Sequence, residues 1–379
     1  MKKKVLLVFG TRPEGIKCAP VIQALQNQEE LDFEICVTGQ HKEMLQQVLE
    51  IFQITSGENL AVMQEGQTLN ALTARLLMSV EQYLEKVKPD LVLAIGDTTT
   101  ALTTALACFH KKISFGHIEA GLRTYNLHAP WPEEANRQIV SRIATLHFAP
   151  TEHARQNLLK ENIPESTVFL TGNTIVDALQ FVVSSLPEYS AEIRAAIPDT
   201  LFTTKDRIVL ITGHRRENFD GGIKRVCDAI RSLADTFPDV HFVYPVHLNP
   251  AVQSAVKDTM GTAHRNVHLL PPLSYVPFVW LMQKAHTIIT DSGGIQEEAP
   301  SLGKPVLVTR EITERPEGVE AGSALVVGTN TEHIIEEVTK LLTDGAHYAS
   351  MAQVTNPYGD GTAAERIVTI CNNYLYGKK

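Results

Sequence analysis

The sequence predicts an α/β protein made of two parallel-sheet domains. Three observations carry this. Short apolar runs alternate with amphipathic helical segments along most of the chain, the pattern of a parallel sheet covered on both faces. At 379 residues the chain is too long for one ordinary core, so two domains are the default. A less regular stretch from Ser184 to Asp206, with Pro187, Pro198 and several charges, separates two series of strands.

In the first series Val5 to Phe9 reads as a strand, Gly10 to Glu14 as a loop, and Ile16 to Gln28 as a helix with apolar residues at helical spacing. Phe33 to Thr38 repeats the strand and Lys42 to Phe52 the helix. Leu69 to Lys86 is a further helix. Asp90 to Ile95 is a strand ending in Gly96-Asp97, followed by a helix through Ala101 to Phe109. Ile113 to Ile118 is a strand ending at Glu119. Pro132 suits the first turn of a helix running to about Ala144. Leu146 to Ala149 and Val168 to Leu170 complete this series. In the second, Ile208 to Ile211, His241 to Val243, Val267 to Leu270, Thr287 to Ile289 and Val306 to Val308 read as strands with helices between. These halves predict two Rossmann-like domains facing a cleft: residues 1–171, residues 172–355, and a C-terminal segment 356–379 that packs back on the first. Such sheets bind ligands beyond the carboxyl ends of their strands.

Composition narrows the function. Hydrophobic content of 44% and charged content of 20% are those of a folded soluble protein. A net charge of −9 and a pI near 5.9 argue against general binding to nucleic acid or anionic membranes, while leaving room for a local positive site. Five cysteines form no Cys-x-x-Cys pair, are odd in number and lie mostly in apolar segments, as buried thiols of a cytoplasmic protein would. The opening Met1 to Phe9 has too short an apolar run for a signal peptide, and Thr11-Arg12-Pro13-Glu14 follows at once without a small-residue cleavage site. No uncharged run reaches the length of a membrane span.

The strand ends hold the candidate chemistry. After the first strand come Arg12, Glu14 and Lys17. Gly10-x4-Gly15-Ile16-Lys17 approaches a phosphate-binding loop but lacks its Gly-Lys-Ser/Thr ending. Arg12 and Lys17 suit a pyrophosphate as a planar fork and a point charge, or are surface groups. Asp97, before Thr98-Thr99-Thr100, is either a helix cap or a catalytic acid. Glu119 ends an apolar strand within Gly116-His117-Ile118-Glu119-Ala120-Gly121-Leu122-Arg123-Thr124, where a carboxylate is harder to explain structurally; burial near a like charge would suit it to proton transfer. Glu133 and Glu134 open a helix, where the dipole alone accounts for acids unless Asp97 and Glu119 are close.

In the second half Thr212-Gly213-His214-Arg215-Arg216-Glu217-Asn218 follows a strand, and His247 follows Tyr244-Pro245-Val246. One strand-end histidine is usually structural; two in one cleft, beside Arg215 and Arg216, suit an anionic ligand. The stretch Thr290-Asp291-Ser292-Gly293-Gly294-Ile295-Gln296-Glu297-Glu298 places Ser292, Gly293 and Gly294 at a helix start, where free N–H groups favour phosphate. A turn later, Glu298 suits a ribose diol. Phe278 stacks on a base or belongs to the core. Arg315 reaches the same pocket or pairs with a nearby acid. Two patterns fail. Gly359-Asp360-Gly361-Thr362-Ala363-Ala364 lacks the strand and acid of a dinucleotide site, and the histidines show no metal-ligand spacing, so neither a nicotinamide cofactor nor a metal is indicated.

Together these segments resemble the non-hydrolysing UDP-N-acetylglucosamine 2-epimerases. The resembling motifs are Phe9 to Glu14, Gln40-His41, Gly96 to Thr100, Gly116 to Thr124, Pro132-Glu133-Glu134, His214 to Asn218, Asp291 to Pro300, Glu314 to Glu317 and Asn356 to Gly359. The resemblance implies a glycosyltransferase-B-type fold, usually a homodimer, converting UDP-GlcNAc reversibly to UDP-ManNAc with no cofactor, for surface polysaccharide synthesis. It implies Asp97, Glu119 and Glu133 as the acid/base set, assisted by His214 and Lys17. Arg12, Ser292, Gly293, Gly294, Glu298 and Arg315 would hold UDP, with Phe278 bordering uracil and Arg215 and His247 lining the site. A hydrolysing epimerase, a sugar-transferring enzyme and a catalytically idle nucleotide-sugar binder are the rivals.

One departure stands out. Some members of that family carry a regulatory UDP-GlcNAc site that uses polar residues near Gln40-His41 and an arginine in the next loop. Here that loop reads Met63-Gln64-Glu65-Gly66-Gln67, with Gly66 in place of the arginine. Weak or absent substrate activation is expected, and a sigmoidal rate curve abolished by mutating Gln46 would contradict this.

Overall fold

The computed structural model describes residues 2–39, 48–55, 57–64, 66–261 and 264–377. Gln40, His41 and Gln46 lie outside them, as does most of the helix expected over Lys42 to Phe52, of which 48–51 are helical. The chain divides into two compact units: 1–178 with 358–379, and 179–357. The chain leaves the first unit within the helix Thr174–Ser185, later than the expected 171/172, and returns at 357/358 rather than 355/356.

The first unit is a parallel sheet of β1 (Lys3–Phe9), β2 (Leu31–Val37), β3 (Glu58–Asn59), β4 (Leu91–Ile95), β5 (Ser114–Ile118), β6 (Leu146–Ala149) and β7 (Val168–Leu170). Their order is β3-β2-β1-β4-β5-β6-β7. Val5 lies beside both Phe33 and Leu91, and Leu91 beside Ser114, so the carboxyl ends of β1, β4 and β5 come out together. The strands are apolar on both faces because helices cover both. Val5 to Phe9 and Leu91 to Ile95 are all buried.

The first helix, Arg12–Gln26, begins four residues before the apolar periodicity does. Thr11 caps it, and Glu14 returns its carboxylate to the Thr11 and Gly10 N–H groups, at 2.8 and 2.9 Å. With Pro13 in the first turn this is a capping box, which Thr11-x-x-Glu14 spells out in sequence. The C-terminal helix Ala363–Tyr376 packs on Arg12–Gln26, burying Ile367, Val368 and Cys371.

The second unit holds β8 (Arg207–Thr212), β9 (Val240–Pro245), β10 (Val267–Leu270), β11 (Thr287–Thr290), β12 (Val306–Val308) and β13 (Ala324–Val326). They run parallel in the order β10-β9-β8-β11-β12-β13. The stretch from Ser184 to Asp206 is more regular than expected: helices Ser190–Ala196 and Asp199–Thr203 bury Ile193 and Leu201. In each sheet the strand order reverses once, between β1 and β4 and between β8 and β11. A crevice opens at such a reversal, beyond the carboxyl ends. All five cysteines are free and buried, and among the described residues no helix is long and apolar enough to cross a membrane.

Candidate functional site

Three strand ends of the first unit converge on a set of paired charges. Gly96, with φ +75°, turns the chain out of β4 and delivers Asp97. The sequence left Asp97 open as a helix cap, but the cap is Thr98, whose hydroxyl accepts the Ala101 N–H. The Asp97 carboxylate is instead gripped by Arg137, whose Nε and Nη2 reach Oδ2 at 2.9 and 2.7 Å, while Asn136 donates to the Asp97 carbonyl at 2.7 Å. Glu119, after β5, sits at φ +64°, a left-handed backbone that carries strain for a side chain of this size. Its Oε1 pairs with the Lys17 ammonium and accepts from Asn173 Nδ2 at 3.0 Å. Lys17 and Glu119 are both largely withdrawn from water, with side chains 14% and 7% exposed, where an ion pair is little screened.

Beneath them is a supporting layer. The Thr98 hydroxyl donates to Glu14 at 2.5 Å, tying the β4 loop to the first helix. Burial pushes the Glu14 carboxyl up, against its four hydrogen bonds. His117, on β5, bonds the Gly96 carbonyl through Nε2 at 2.7 Å. Burial drives its pKa down to about 4, so the ring is neutral and Nε2 carries the proton.

The two helix-start acids separate in role. Glu134 is fully buried and accepts from the Thr124 and Tyr125 N–H groups, from Gln138 and from Arg137. Burial works against its charge, but these donors outweigh it and hold the carboxyl below its usual range. Glu133, one residue earlier, begins the helix Glu133–Ile143 and remains partly exposed. Arg12, the first residue of its own helix, is also partly exposed.

In the second unit the ends of β8 and β11 are joined by Asp291. Its Oδ2 accepts the His214 and Arg215 N–H groups, each at 2.8 Å, and Asn218 Nδ2 at 3.3 Å. Its Oδ1 lies 3.2 Å from His214 Nδ1. Burial opposes the charge on Asp291, but the His214 ring and these N–H groups hold its pKa below the usual value. The carboxylate therefore stands against the Nδ1 edge of the His214 ring. His247 stacks on His214 with ring centres 5.4 Å apart. Its Nδ1 accepts the Asn249 N–H at 3.1 Å, and burial followed by the His214 neighbour lowers its pKa.

Beside them, Ser292 caps the short helix Gly293–Glu298 without a side-chain bond. A Cβ on Gly293 would lie 3.6 Å from the Arg315 guanidinium, so backbone and cation are close neighbours. Arg315 does pair with an acid, Glu297, at 2.5 Å, yet it stands over this turn as well. Glu298 is buried and accepts the Tyr275 hydroxyl at 2.6 Å. Phe278, on the same helix as Tyr275, is partly exposed while its neighbours Pro277 and Val279 are buried. Among the described residues no group of three or more His, Cys, Asp or Glu side chains could hold a metal ion.

The structure thus places Lys17, Asp97 and Glu119 beyond the carboxyl ends of β1, β4 and β5, and His214, Arg215, His247, Ser292 and Gly293 beyond those of β8, β9 and β11, with Arg315 against Gly293. Sequence reasoning missed Asn173, Arg137, Asp291 and Tyr275 as site residues. Asp291 carried a signal, as an acid ending an apolar strand; Asn173, Arg137 and Tyr275 have partners 54, 40 and 23 residues away and carried none.

The family model for UDP-N-acetylglucosamine 2-epimerase matches residues 23–372. The UDP-N-acetylglucosamine 2-epimerase of Escherichia coli K12 is 51% identical, covering 98% of each chain. The chain belongs to this family. Its fold is shared with family members of known structure. The Neisseria meningitidis UDP-GlcNAc 2-epimerase bound to UDP-GlcNAc superposes with a TM-score of 0.90 at 49% identity, over 98% of this chain and 100% of that one. The Methanocaldococcus jannaschii UDP-GlcNAc 2-epimerase, in complex with UDP-GlcNAc and UDP, gives 0.81 at 34% identity over 97% and 99%. Membership makes this chain an isomerase-family protein over nearly its whole length.

Proposed function

We propose that this protein interconverts UDP-GlcNAc and UDP-ManNAc without hydrolysis, as a cytoplasmic homodimer supplying UDP-ManNAc for surface polysaccharide synthesis. The observation that carries this is the pairing of Glu119 with Lys17 and Asp97 with Arg137 at the ends of neighbouring strands, in a chain that matches 2-epimerases end to end. The C2 proton of the sugar is not acidic, since no carbonyl adjoins it. Breaking the bond from C1 to the diphosphate oxygen gives C1 oxocarbenium character and makes that proton removable. Loss of both yields 2-acetamidoglucal and UDP; return of a proton to the other face of C2 and of the diphosphate oxygen to C1 yields the epimer. Atoms balance with no external oxidant or reductant.

Asp97, Glu119 and Glu133 serve as the acid/base set. Lys17 and His214 assist as charge develops on the departing diphosphate. Arg12, Arg215, Ser292, Gly293, Gly294 and Arg315 hold that diphosphate, His247 supports His214, Glu298 takes the ribose hydroxyls, and Phe278 borders the uracil. The test is incubation with UDP-GlcNAc in deuterated water, followed by NMR. UDP-ManNAc carrying deuterium at C2 supports the reading. Free ManNAc would move the protein to the hydrolysing class, and no reaction would favour a transferase or a binder.

A further inference from the structure

Glu119 is held by an unusual neighbour. Asn173 lies just beyond β7, two strands away from β5 in the sheet, and is 3% exposed. Its four polar groups are all engaged, the backbone carbonyl by the Val176 N–H at 3.1 Å. Nδ2 donates to Glu119 Oε1 at 3.0 Å. Oδ1 accepts the Ile175 N–H at 3.1 Å, starting the helix Thr174–Ser185. The backbone N–H donates to the Tyr358 carbonyl at 2.7 Å. Because Oδ1 is committed to a backbone donor, the amide cannot be turned over, and the group aimed at Glu119 must be the NH₂.

Tyr358 is the first residue of the chain's return to this unit, and its side chain is 1% exposed. Next to it, a Cβ on Gly359 would come within 3.4 Å of both the Asn173 nitrogen and Gly172 Cα. The two crossing segments of backbone therefore run side by side at Asn173, tied by its bond to the Tyr358 carbonyl. Glu119, with its left-handed backbone, is the opposite case: a strained residue whose carboxylate must be placed from outside.

We propose that Asn173 is a positioning residue for the reaction, fixing the Glu119 carboxylate from the point where the chain returns to the first unit. This rests on the reading of Glu119 as an acid/base group. The bond supplies a donor to Glu119 without adding charge, so it sets orientation while Lys17 supplies the electrostatics.

The test uses the full chain and UDP-GlcNAc, with and without deuterium at C2. Asn173→Ser keeps an acceptor for the Ile175 N–H but is too short to reach Glu119. Its kcat falls about tenfold to a hundredfold with KM little changed, and its C2 deuterium isotope effect on kcat rises above that of the unaltered protein. Asn173→Asp keeps the size and sets two carboxylates face to face, so its activity relative to the unaltered protein recovers as pH falls and the new acid regains a proton. An unchanged isotope effect in Asn173→Ser, or an Asn173→Asp activity ratio flat with pH, overturns the positioning role. Should the unaltered protein itself fail to exchange deuterium at C2, it is the acid/base reading of Glu119 that has failed.

Discussion

Arg137 is a single side chain serving two acids. It reaches Asp97 Oδ2 at 2.7 Å and Glu134 Oε2 at 3.3 Å, and Glu134 is fully buried. Removing the guanidinium leaves the buried Glu134 charge facing neutral donors in place of a cation, which costs more than the pair contributes. Arg137→Met should lower the unfolding free energy by about 3–5 kcal/mol, measured by urea denaturation. Arg137→Lys should lose less, because it keeps the charge but not the two-point fork. The same residues show where the sequence was silent. Glu133 and Glu134 are neighbours of one type at a helix start, and only the backbone donors of Thr124 and Tyr125 mark Glu134 as structural. That distinction depends on where a loop folds, which local pattern does not encode.

At the scale of elements, Asp291 fastens the end of β11 to the loop after β8. An Asp291→Asn variant retains an acceptor but loses the charge that faces His214 Nδ1. It should lower kcat for UDP-GlcNAc epimerisation by about a hundredfold, with unaltered far-UV circular dichroism. Since the folded-state pKa of Asp291 lies below its ordinary value, its stabilisation is present above pH ~4 and lost as pH falls further. Melting curves of the unaltered protein and the Asn variant should therefore converge in acid. Strand ends of this kind were legible because buried parallel strands are short, wholly apolar runs that stop at a polar residue. β4 and β12 were readable this way. β3 was not, since Glu58–Asn59 is polar and exposed. The helices Ser190–Ala196 and Asp199–Thr203 were hidden too, being too short to hold without the packing of Ile193 and Leu201.

For the molecule as a whole, two buried groups of the first unit shift stability in opposite directions with pH. Burial lowers His117 to about 4, so its stabilisation is present above its ordinary 6.5 and is lost as pH falls towards 4. Burial raises Asp177 to about 6, against the Ala364 N–H that it accepts at 2.8 Å. Its favourable state is the neutral one, complete below its ordinary 3.8 and lost as pH rises through 6. Each is worth about 3 kcal/mol across its window, with opposite sign. Relative to the unaltered protein, Asp177→Asn should gain stability as pH rises from 4 to 7, and His117→Gln should gain as pH falls over the same range. Chemical denaturation at pH 4, 5.5 and 7 would reveal both slopes; parallel curves would show that neither group is perturbed.

The division of the chain also sets an order of assembly. The second unit is one continuous segment, 179–357, inserted into a first unit that needs 358–379 to close. A growing polypeptide leaving the ribosome therefore finishes the inserted unit while the older one still lacks the helix that covers Arg12–Gln26. The part made first is the part completed last. Until Ile367, Val368 and Cys371 arrive, the face of the earlier half that they cover stays open to water.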